Sequence, residues 1–320
     1  SYIRVKTLNK RPSLVCAVKA SASNMRFSAT LFLSAVAALM TSSSSVQAAA
    51  LPAVDIQVAT VPQFEKRDIA GLNNYDCKPS AAHPRPLILV HSTLLTADSW
   101  KDFVPTFQEQ GWCVFALTYG TVPQIPGFGG LAPIEQSAQQ LADFANNVMT
   151  RMKATQVDLV GHSQGGILGR YWIKYLGGAG KVNRMVGVSP ITHGTTLSGI
   201  STIAKALQIF YPAQQLFDKI APSFYQMVES SSFIAKLNTG GDTSPGVIHS
   251  NIATKFDEVV TPWSTAFQQG PGVTNVVLQD LCLLSLNEHL TMINSKVVLQ
   301  YVLNQLDPLT AKTANCLSLL

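Results

Sequence analysis

The stretch that decides the fold is residues 157–166, VDLVGHSQGG. Its first four residues are mostly apolar, which predicts a buried strand. The next five match the pattern G-x-S-x-G, and helical periodicity follows from 165 to 176. A strand, a tight glycine-flanked turn and a helix in this order predict a turn that lifts the Ser163 hydroxyl above the carboxyl edge of a parallel sheet.

The alternation of strands and helices extends on both sides of this stretch. Further apolar segments predict strands at residues 86–91, 112–119, 182–188, 251–256 and 273–278. Apolar residues at helical spacing predict helices at 96–110, 134–152, 165–176 and 291–306. The pattern predicts an α/β fold with a mostly parallel central sheet that is covered by helices on both faces.

Residues 194–245 interrupt this alternation. Glycines lie towards both ends of the segment, and its middle is apolar and rich in aromatic residues. The residues concerned are Ile203, Leu207, Phe210, Tyr211, Leu216, Phe217, Phe224 and Tyr225. We expect a helical insertion over the carboxyl edge of the sheet, near the Ser163 turn, where it would form an acyl-binding wall or a partial lid.

A serine hydroxyl becomes a good nucleophile only when a base takes its proton. In the strand–turn–helix architecture of Ser163, the acid and then the histidine follow the serine along the chain. His289 lies after the last predicted strand and before the final helix, so it is the favoured base. His193 and His249 come earlier, and we expect them to be packing or surface residues.

The acid that orients the histidine should end a strand before His289. Asp257 directly follows the predicted strand 251–256 and is favoured. Asp280 follows the next predicted strand and is the alternative, with a turn before Cys282 as its other interpretation.

The negative oxygen that forms during acyl transfer needs backbone N–H donors. One is expected from Gln164, at the start of the helix after Ser163. The second is expected from Thr93, because His91, Ser92 and Thr93 follow the first predicted strand. His91 is expected to brace this loop.

The charge of the chain argues against nucleic-acid binding. The formal net charge is +5, but six of the 23 basic residues lie in residues 1–50, which contain no acid. The remainder has 17 basic and 18 acidic residues and no basic stripe.

Residues 25–48 have the pattern of a secretory signal peptide. Met25 and Arg26 give a charged start, residues 31–40 are apolar, and residues 46–48 (VQA) form a small-x-small cleavage pattern. The apolar run is shorter than the roughly 20 residues of a membrane anchor. We therefore predict a secreted catalytic domain at 49–320, and we assign no function to residues 1–24.

Four cysteines follow the predicted signal: Cys77, Cys113, Cys282 and Cys316. An even number in an exported domain suggests two disulfides. Sequence order favours Cys77–Cys113 and Cys282–Cys316, although three pairings are possible. The chain has no C-x-x-C motif, which makes a zinc site improbable, and no cluster of ligands calls for a structural cation.

From about residue 73 to 307 the chain resembles the class 2 triacylglycerol lipases, which are secreted bacterial α/β-hydrolases. The resemblance is carried by residues 89–91 (LVH), 112–117 (WCVFAL), 157–166 (VDLVGHSQGG), 175–179 (YLGGA), 193–197 (HGTTL), 237–243 (LNTGGDT), 257–262 (DEVVTP), 278–280 (LQD) and 288–289 (EH). The chain departs from the family at Ser92, where the family usually has glycine. Serine would reach some glycine conformations only with strain.

The resemblance implies an α/β-hydrolase fold, both disulfides, and a triad of Ser163, Asp257 and His289. It implies a secreted lipase or esterase that works through an acyl-enzyme without a cofactor. The expected substrates are triglycerides and short- to medium-chain esters, and polyester cleavage is a further expectation because some relatives perform it. An acyltransferase and a non-catalytic lipid-binding protein on the same fold are the alternatives. We expect no nucleic-acid partner and no stable membrane anchor.

Overall fold

A computed structural model describes residues 69–196, 198–202 and 221–316 of the chain. The predicted upstream and signal segments (residues 1–48) lie outside the described residues. So does the middle of the expected insertion, residues 203–220, which includes six of its eight apolar residues.

The described residues contain one parallel sheet of six strands. The strands are β1 Leu87–Val90, β2 Val114–Leu117, β3 Val157–His162, β4 Val182–Val188, β5 Ile248–Ala253 and β6 Thr274–Val277. Their order across the sheet is β2-β1-β3-β4-β5-β6, and every neighbouring pair is parallel. This confirms the α/β class, and it brings the loops that follow the strands to one edge of the sheet.

Seven α-helices lie wholly within the same part of the chain, and residues 198–202 are also helical. The seven helices are α1 Val104–Glu109, α2 Ile134–Met152, α3 Gln164–Tyr175, α4 Ser223–Gln226, α5 Ser232–Asn238, α6 Leu278–Leu281 and α7 Lys296–Leu306. The bounds of α2 agree with the sequence prediction. The residues on which that prediction depended are buried: Ile134, Ala138, Leu141, Ala145 and Val148. The short helices α4 and α5 and the helical residues 198–202 lie in the described part of the expected insertion.

Both faces of the sheet are buried, as the apolar character of its strands requires. In β1, Ile88 and Val90 pack into one core with α2 and α3. Leu87 and Leu89 pack into the other core with α1 and α7. Burying one such side chain fully contributes about 1.5–3 kcal/mol, so strands of this kind hold their register against both helical layers.

Two predicted helices are each longer than the α-helix that the structure has there. The segment 96–110 contains a 3-10 turn at Ala97–Trp100, which the Thr96 side chain caps, and then α1 with a proline in its first turn. The segment 291–306 likewise divides into a 3-10 turn, Thr291–Asn294, and α7. The Ser295 hydroxyl accepts a hydrogen bond from the Val298 amide, so the capping serine sets the start of α7.

The predicted strand 251–256 is displaced, since β5 runs from Ile248 to Ala253. At its end the Thr254 carbonyl accepts a hydrogen bond from the Asp257 amide (3.3 Å), which closes a turn. The aromatic ring of Phe256, which suggested a strand, is half exposed on this turn. Asp257 therefore follows a turn and not the strand itself.

Both favoured disulfides are present. The Cα atoms are 5.8 Å apart in Cys77–Cys113 and 5.5 Å apart in Cys282–Cys316. The first bond ties the segment before β1 to the start of β2. The second bond ties the loop after α6 to the end of the described chain.

A buried ion pair joins α3 to the loops around it. Arg170 is 2% exposed, and its Nη2 lies 3.3 Å from Asp242 Oδ1. Arg170 also donates to the carbonyls of Thr192 and Asp242, and Asn238 accepts a further bond. Burial lowers the pKa of Arg170 to about 10, although the Asp242 charge opposes this shift, and the guanidinium stays charged at neutral pH.

The Asp242 carboxylate is stabilised in its charged form. Burial alone would raise its pKa, but the contacts from His193, the Gln269 amide and Arg170 outweigh burial and lower it from 3.8. Because the pKa is lower in the folded state, the stabilisation is complete above the unfolded-state pKa and is lost as the pH falls through the folded-state pKa.

We predict that Asp242→Asn lowers the free energy of unfolding by about 3–5 kcal/mol at pH 7, because Arg170 stays buried without a counter-charge. The difference between the wild type and the variant should narrow below about pH 4. Urea unfolding at several pH values measures this. Asp280→Asn is the control, because the Asp280 side chain is 67% exposed and lies 3.9 Å from Lys255, and its effect should stay within about 0.5 kcal/mol. Equal effects of the two substitutions would contradict the prediction.

Candidate active site

Ser163 lies on the turn between β3 and α3. Its backbone has φ 56° and ψ −119°, which a residue with a side chain adopts only with strain. The surrounding structure holds this conformation: the Ser163 amide donates to the Val188 carbonyl (2.9 Å), and the Gly166 amide donates to the Ser163 carbonyl (3.0 Å). The turn has the geometry predicted from the sequence.

The two glycines of the motif are required by close contacts. A Cβ at Gly161 would lie 2.6 Å from the backbone of Gly165, and a Cβ at Gly165 would overlap the Val90 carbonyl oxygen. The helix α3 therefore starts directly against β1 and β3, which is possible only with hydrogen in place of a side chain at both positions.

His289 and Asp257 form a buried hydrogen bond. His289 Nδ1 lies 2.8 Å from Asp257 Oδ2, and the side chains of both are 1% exposed. The other carboxylate oxygen, Oδ1, accepts from the amides of Val259 (3.0 Å) and Val260 (2.7 Å). These amides fix the carboxylate, so it holds the His289 ring with Nδ1 as the donor and leaves Nε2 as an acceptor.

Asp280, the alternative acid, does not take part in this pair. It lies on α6 with a side chain that is 67% exposed, and its recorded ion pair is with Lys255. The turn at 254–257, and not the carboxyl end of β6, supplies the carboxylate that meets His289.

Several buried polar atoms around the Ser163 turn have no hydrogen bond among the described residues, and they include His162 Nδ1 and Gln164 Oε1 as well as two atoms of the candidate site. Neither Ser163 Oγ nor His289 Nε2 has a partner among the described residues, although both atoms are inaccessible to solvent. Buried polar atoms are almost always paired, and exceptions occur at reactive sites. The arrangement supplies a hydroxyl on a strained turn and an imidazole nitrogen that can accept a proton.

His162 connects the Ser163 turn to the loop that carries His289. Its Nε2 lies 3.0 Å from the His289 carbonyl oxygen, so this nitrogen is the donor. The two rings lie 4.9 Å apart between centroids. Burial, together with the neighbouring His289, holds the pKa of His162 well below its usual range. His162 therefore stays neutral and positions the backbone of His289.

The loop after β1 lies against the start of α3. The Gln164 side chain donates from Nε2 to Thr93 Oγ1 (3.1 Å) and to the Gly130 carbonyl (3.0 Å). Within the described part of the chain, neither the Thr93 amide nor the Gln164 amide donates to a backbone carbonyl. The structure thus brings Thr93 and Gln164 together, and the Gln164 side chain holds the loop that carries Thr93.

The strain expected at Ser92 is absent. The positive φ in this loop belongs to Leu94 (66°), and Ser92 has no such conformation. Its hydroxyl donates to the Thr93 carbonyl (3.1 Å). A serine is therefore accommodated where the resembling family usually has glycine.

His91 braces this loop from within the core. Its ring stacks on Tyr119 at 4.1 Å, and its Nε2 accepts the Tyr119 amide (3.1 Å). Its Nδ1 contacts the Ser92 carbonyl at 2.7 Å. Burial lowers the pKa of His91 to about 4, so the ring is neutral at pH 7.

The other two candidate histidines belong to the Arg170 network. His193 Nε2 lies 3.0 Å from Asp242 Oδ2. His249 is buried within β5, where it accepts the Ser244 amide at 3.2 Å, and burial lowers its pKa to about 4. Of the packing or surface roles expected for the two histidines, His249 has the buried one, and His193 is partly exposed beside Asp242.

Sequence reasoning missed the positioning roles of His162, the Gln164 side chain and Gly130. The first two lie inside the G-x-S-x-G motif, where the pattern indicates only the need for small neighbours and a serine. The consecutive glycines 129 and 130 were a signal for a close backbone approach, and a Cβ at Gly130 would lie 2.9 Å from the Thr93 Cα.

Among the described residues, no group of three or more His, Cys, Asp or Glu side chains is arranged to hold a metal ion. Within the same residues, no helix has both the length and the apolar character needed to cross a membrane.

Comparisons with known proteins agree on the fold. The chain is similar in structure to Aspergillus fumigatus lipase B, with 22% identity and a TM-score of 0.54 over 72% of this chain and 54% of that one. It is similar to the mature form of Bacillus licheniformis lipase BlEst2, with 16% identity and a TM-score of 0.51 over 72% of this chain and 94% of that one. The chain thus spans about half of the Aspergillus protein. A comparison with curated proteins gives no match.

A model of one family matches most of the described sheet and helices. The family is described as lipase (class 2), and the match covers residues 84–302. This range contains β1 to β6, the Ser163 turn, Asp257 and His289. The chain belongs to the class 2 lipase family, whose fold is that of the α/β-hydrolases.

Proposed function

We propose that this protein is a serine carboxylic ester hydrolase that uses Ser163, His289 and Asp257 as a catalytic triad. The observation that carries the proposal is the buried His289–Asp257 pair, which leaves His289 Nε2 available as a base. The strained turn of Ser163 at the same edge of the sheet supports the assignment of the nucleophile. Membership in the class 2 lipases supports an ester as the substrate.

In the first half of the proposed reaction, His289 Nε2 takes the Ser163 proton while Oγ bonds to the ester carbonyl carbon. The carbonyl oxygen becomes negative and accepts hydrogen bonds from the Thr93 and Gln164 amides. Asp257 stabilises the imidazolium that forms. His289 then gives the proton to the alkoxide, the ester C–O bond breaks, and the alcohol leaves an acyl group on Ser163.

The second half repeats these steps with water. His289 takes a proton from water, and the hydroxide oxygen bonds to the acyl carbon. The second tetrahedral oxygen uses the same two amides. The bond to Ser163 Oγ breaks, Oγ takes the proton back from His289, and the carboxylic acid leaves. No metal or organic cofactor enters these steps.

The expected substrates are triglycerides and short- to medium-chain esters, with polyester as an extension. The near-neutral balance of charge after residue 50 and the apolar insertion support neutral, poorly soluble esters. We propose that the mature protein acts outside the cell. The two disulfides are compatible with that setting, because such bonds persist in oxidising compartments.

Replacing Ser163 by alanine tests the nucleophile. Hydrolysis of p-nitrophenyl butyrate by the full chain should fall by at least about 10⁴-fold, since removing the triad serine removes the covalent pathway. Circular dichroism should show that both proteins are folded. Equal rates would exclude Ser163, and two folded but inactive proteins would favour the lipid-binding alternative. Exclusive transfer of the butyryl group to an added alcohol, without hydrolysis, would favour the acyltransferase.

Asp257→Asn tests the acid against a matched control. The change keeps the volume of the side chain but removes the charge that fixes and stabilises the His289 imidazolium, so kcat should fall by about 10⁴-fold. Asp280→Asn should leave kcat within about two-fold, because Asp280 lies in solvent on α6. A large loss in Asp280→Asn together with a small loss in Asp257→Asn would reverse the assignment.

Ser92→Gly tests the oxyanion loop. Ser92 has no positive φ, so restoring the glycine of the family should leave kcat/KM within about three-fold. It should also lower the free energy of unfolding by about 0.5–1 kcal/mol, because glycine gains freedom in the unfolded chain. A kcat increase of ten-fold or more would show that serine distorts the donors at Thr93 and Gln164.

A further inference from the structure

The loop that carries His289 exposes an unusual amount of apolar surface. We call residues 281–290 the leucine loop. Its side chains Leu283, Leu284 and Leu286 are 81%, 83% and 75% exposed, and Leu281 and Leu290 are partly exposed. Single exposed leucines are ordinary. Five within ten residues form an apolar patch, and patches of this kind mark surfaces that bind another molecule or phase.

The backbone of the leucine loop is held by a disulfide and by hydrogen bonds from neighbouring elements. Cys282 is 2% exposed and bonded to Cys316. The Ser285 carbonyl accepts from Gln279 Nε2 (3.0 Å), and the Asn287 carbonyl accepts from Thr254 Oγ1 (2.7 Å). The buried residues anchor the loop and the leucines between them point outward.

The patch adjoins the proposed catalytic residues. His289 follows Leu286 by three positions, and its side chain is 1% exposed. The Thr254–Asn287 hydrogen bond also brings the 254–257 turn beside the leucine loop, and this turn carries both Asp257 and the half-exposed ring of Phe256. An apolar phase that covered the patch would therefore lie next to the triad.

The charges in this region select between possible occupants. Residues 255–290 contain one lysine, Lys255, and four acids, Asp257, Glu258, Asp280 and Glu288. Lys255 lies 3.9 Å from Asp280. Attachment to an anionic bilayer uses clustered lysines and arginines, and this segment has an excess of negative charge instead. The negative charge would be repelled by an anionic bilayer but not by a neutral apolar surface.

We propose that the leucine loop docks the protein on the surface of a neutral, water-insoluble ester and so delivers ester groups to Ser163. The proposal rests on the proposed function, because it assigns the physical form of the substrate at the same site. Leu283, Leu284 and Leu286 enter the ester phase, while the backbone and His289 keep their positions.

Binding is tested in the full chain with Ser163→Ala, so that the ester is not consumed. Triolein droplets coated with neutral polyvinyl alcohol are the probe, and flotation measures the partition coefficient. The triple substitution Leu283→Ser, Leu284→Ser and Leu286→Ser should lower the coefficient by at least about 30-fold, since three apolar side chains lose their burial. Leu309→Ser is the matched control, because Leu309 is 96% exposed outside the loop, and it should change the coefficient by less than about three-fold.

With Ser163 intact, comparing turnover of a soluble ester with turnover of ester droplets distinguishes an effect on docking from an effect on catalysis. The triple variant should hydrolyse soluble p-nitrophenyl butyrate within about three-fold of the wild type, yet lose at least about ten-fold on tributyrin droplets. Equal loss on both esters would overturn the proposal, because the loop would then shape the catalytic site itself. If the wild type hydrolyses neither ester, the proposed function fails, while flotation of the Ser163→Ala protein still decides whether the loop docks.

Two other binding partners of the leucine loop, an anionic membrane and a second copy of the chain, can be tested with the same variants. Preferential binding to phosphatidylserine vesicles over neutral droplets would overturn the assignment of a neutral phase. A dimer in sedimentation velocity that the triple substitution dissociates would identify a second copy of the chain as the occupant, and it would also overturn the proposal. A monomer that partitions to neutral droplets through the leucine loop is the expected result.

Discussion

The approach of α3 to β1 and β3 is the constraint on which the rest of the site depends. Without a side chain at Gly165, α3 can start against the Val90 carbonyl of β1. Without a side chain at Gly161, β3 can lie against the Gly165 backbone at the start of α3. Ser163 is thereby forced into a strained conformation between them, with its backbone held by Val188 and Gly166. Packing of the helix layer on the sheet supplies the energy that maintains this turn.

Around that turn, the loops are joined by polar contacts and not by apolar packing alone. His162 binds the backbone of His289, and Gln164 binds Thr93 and Gly130. His162 thus positions one loop, and Gln164 joins two, the loop after β1 and the loop after β2. Buried hydrogen bonds of this kind are specific because breaking one would leave a donor or an acceptor unpaired at a cost, and they fix side chains that come from distant parts of the chain.

The leucine loop combines two opposite surfaces in ten residues. Its inward side holds a disulfide, hydrogen bonds to Gln279 and Thr254, and the base of the proposed triad. Its outward side is apolar and free of cations. Under the proposals made above, a loop that carries both the histidine and an apolar surface would couple the position of an insoluble ester to the position of the base.

The sequence was enough to predict the parallel α/β sheet, α2 and the Ser163 turn, and it favoured the two disulfides that form and Asp257 as the partner of His289. Those features depend on local periodicity, small residues at fixed spacing and chain order. Only the tertiary structure decided where β5 ends, that Leu94 and not Ser92 carries the positive φ, and what His162 and Gln164 hold. Their partners lie 34 to 127 residues away in the chain, and no local pattern encodes which carbonyl or hydroxyl packing will bring within hydrogen-bond distance.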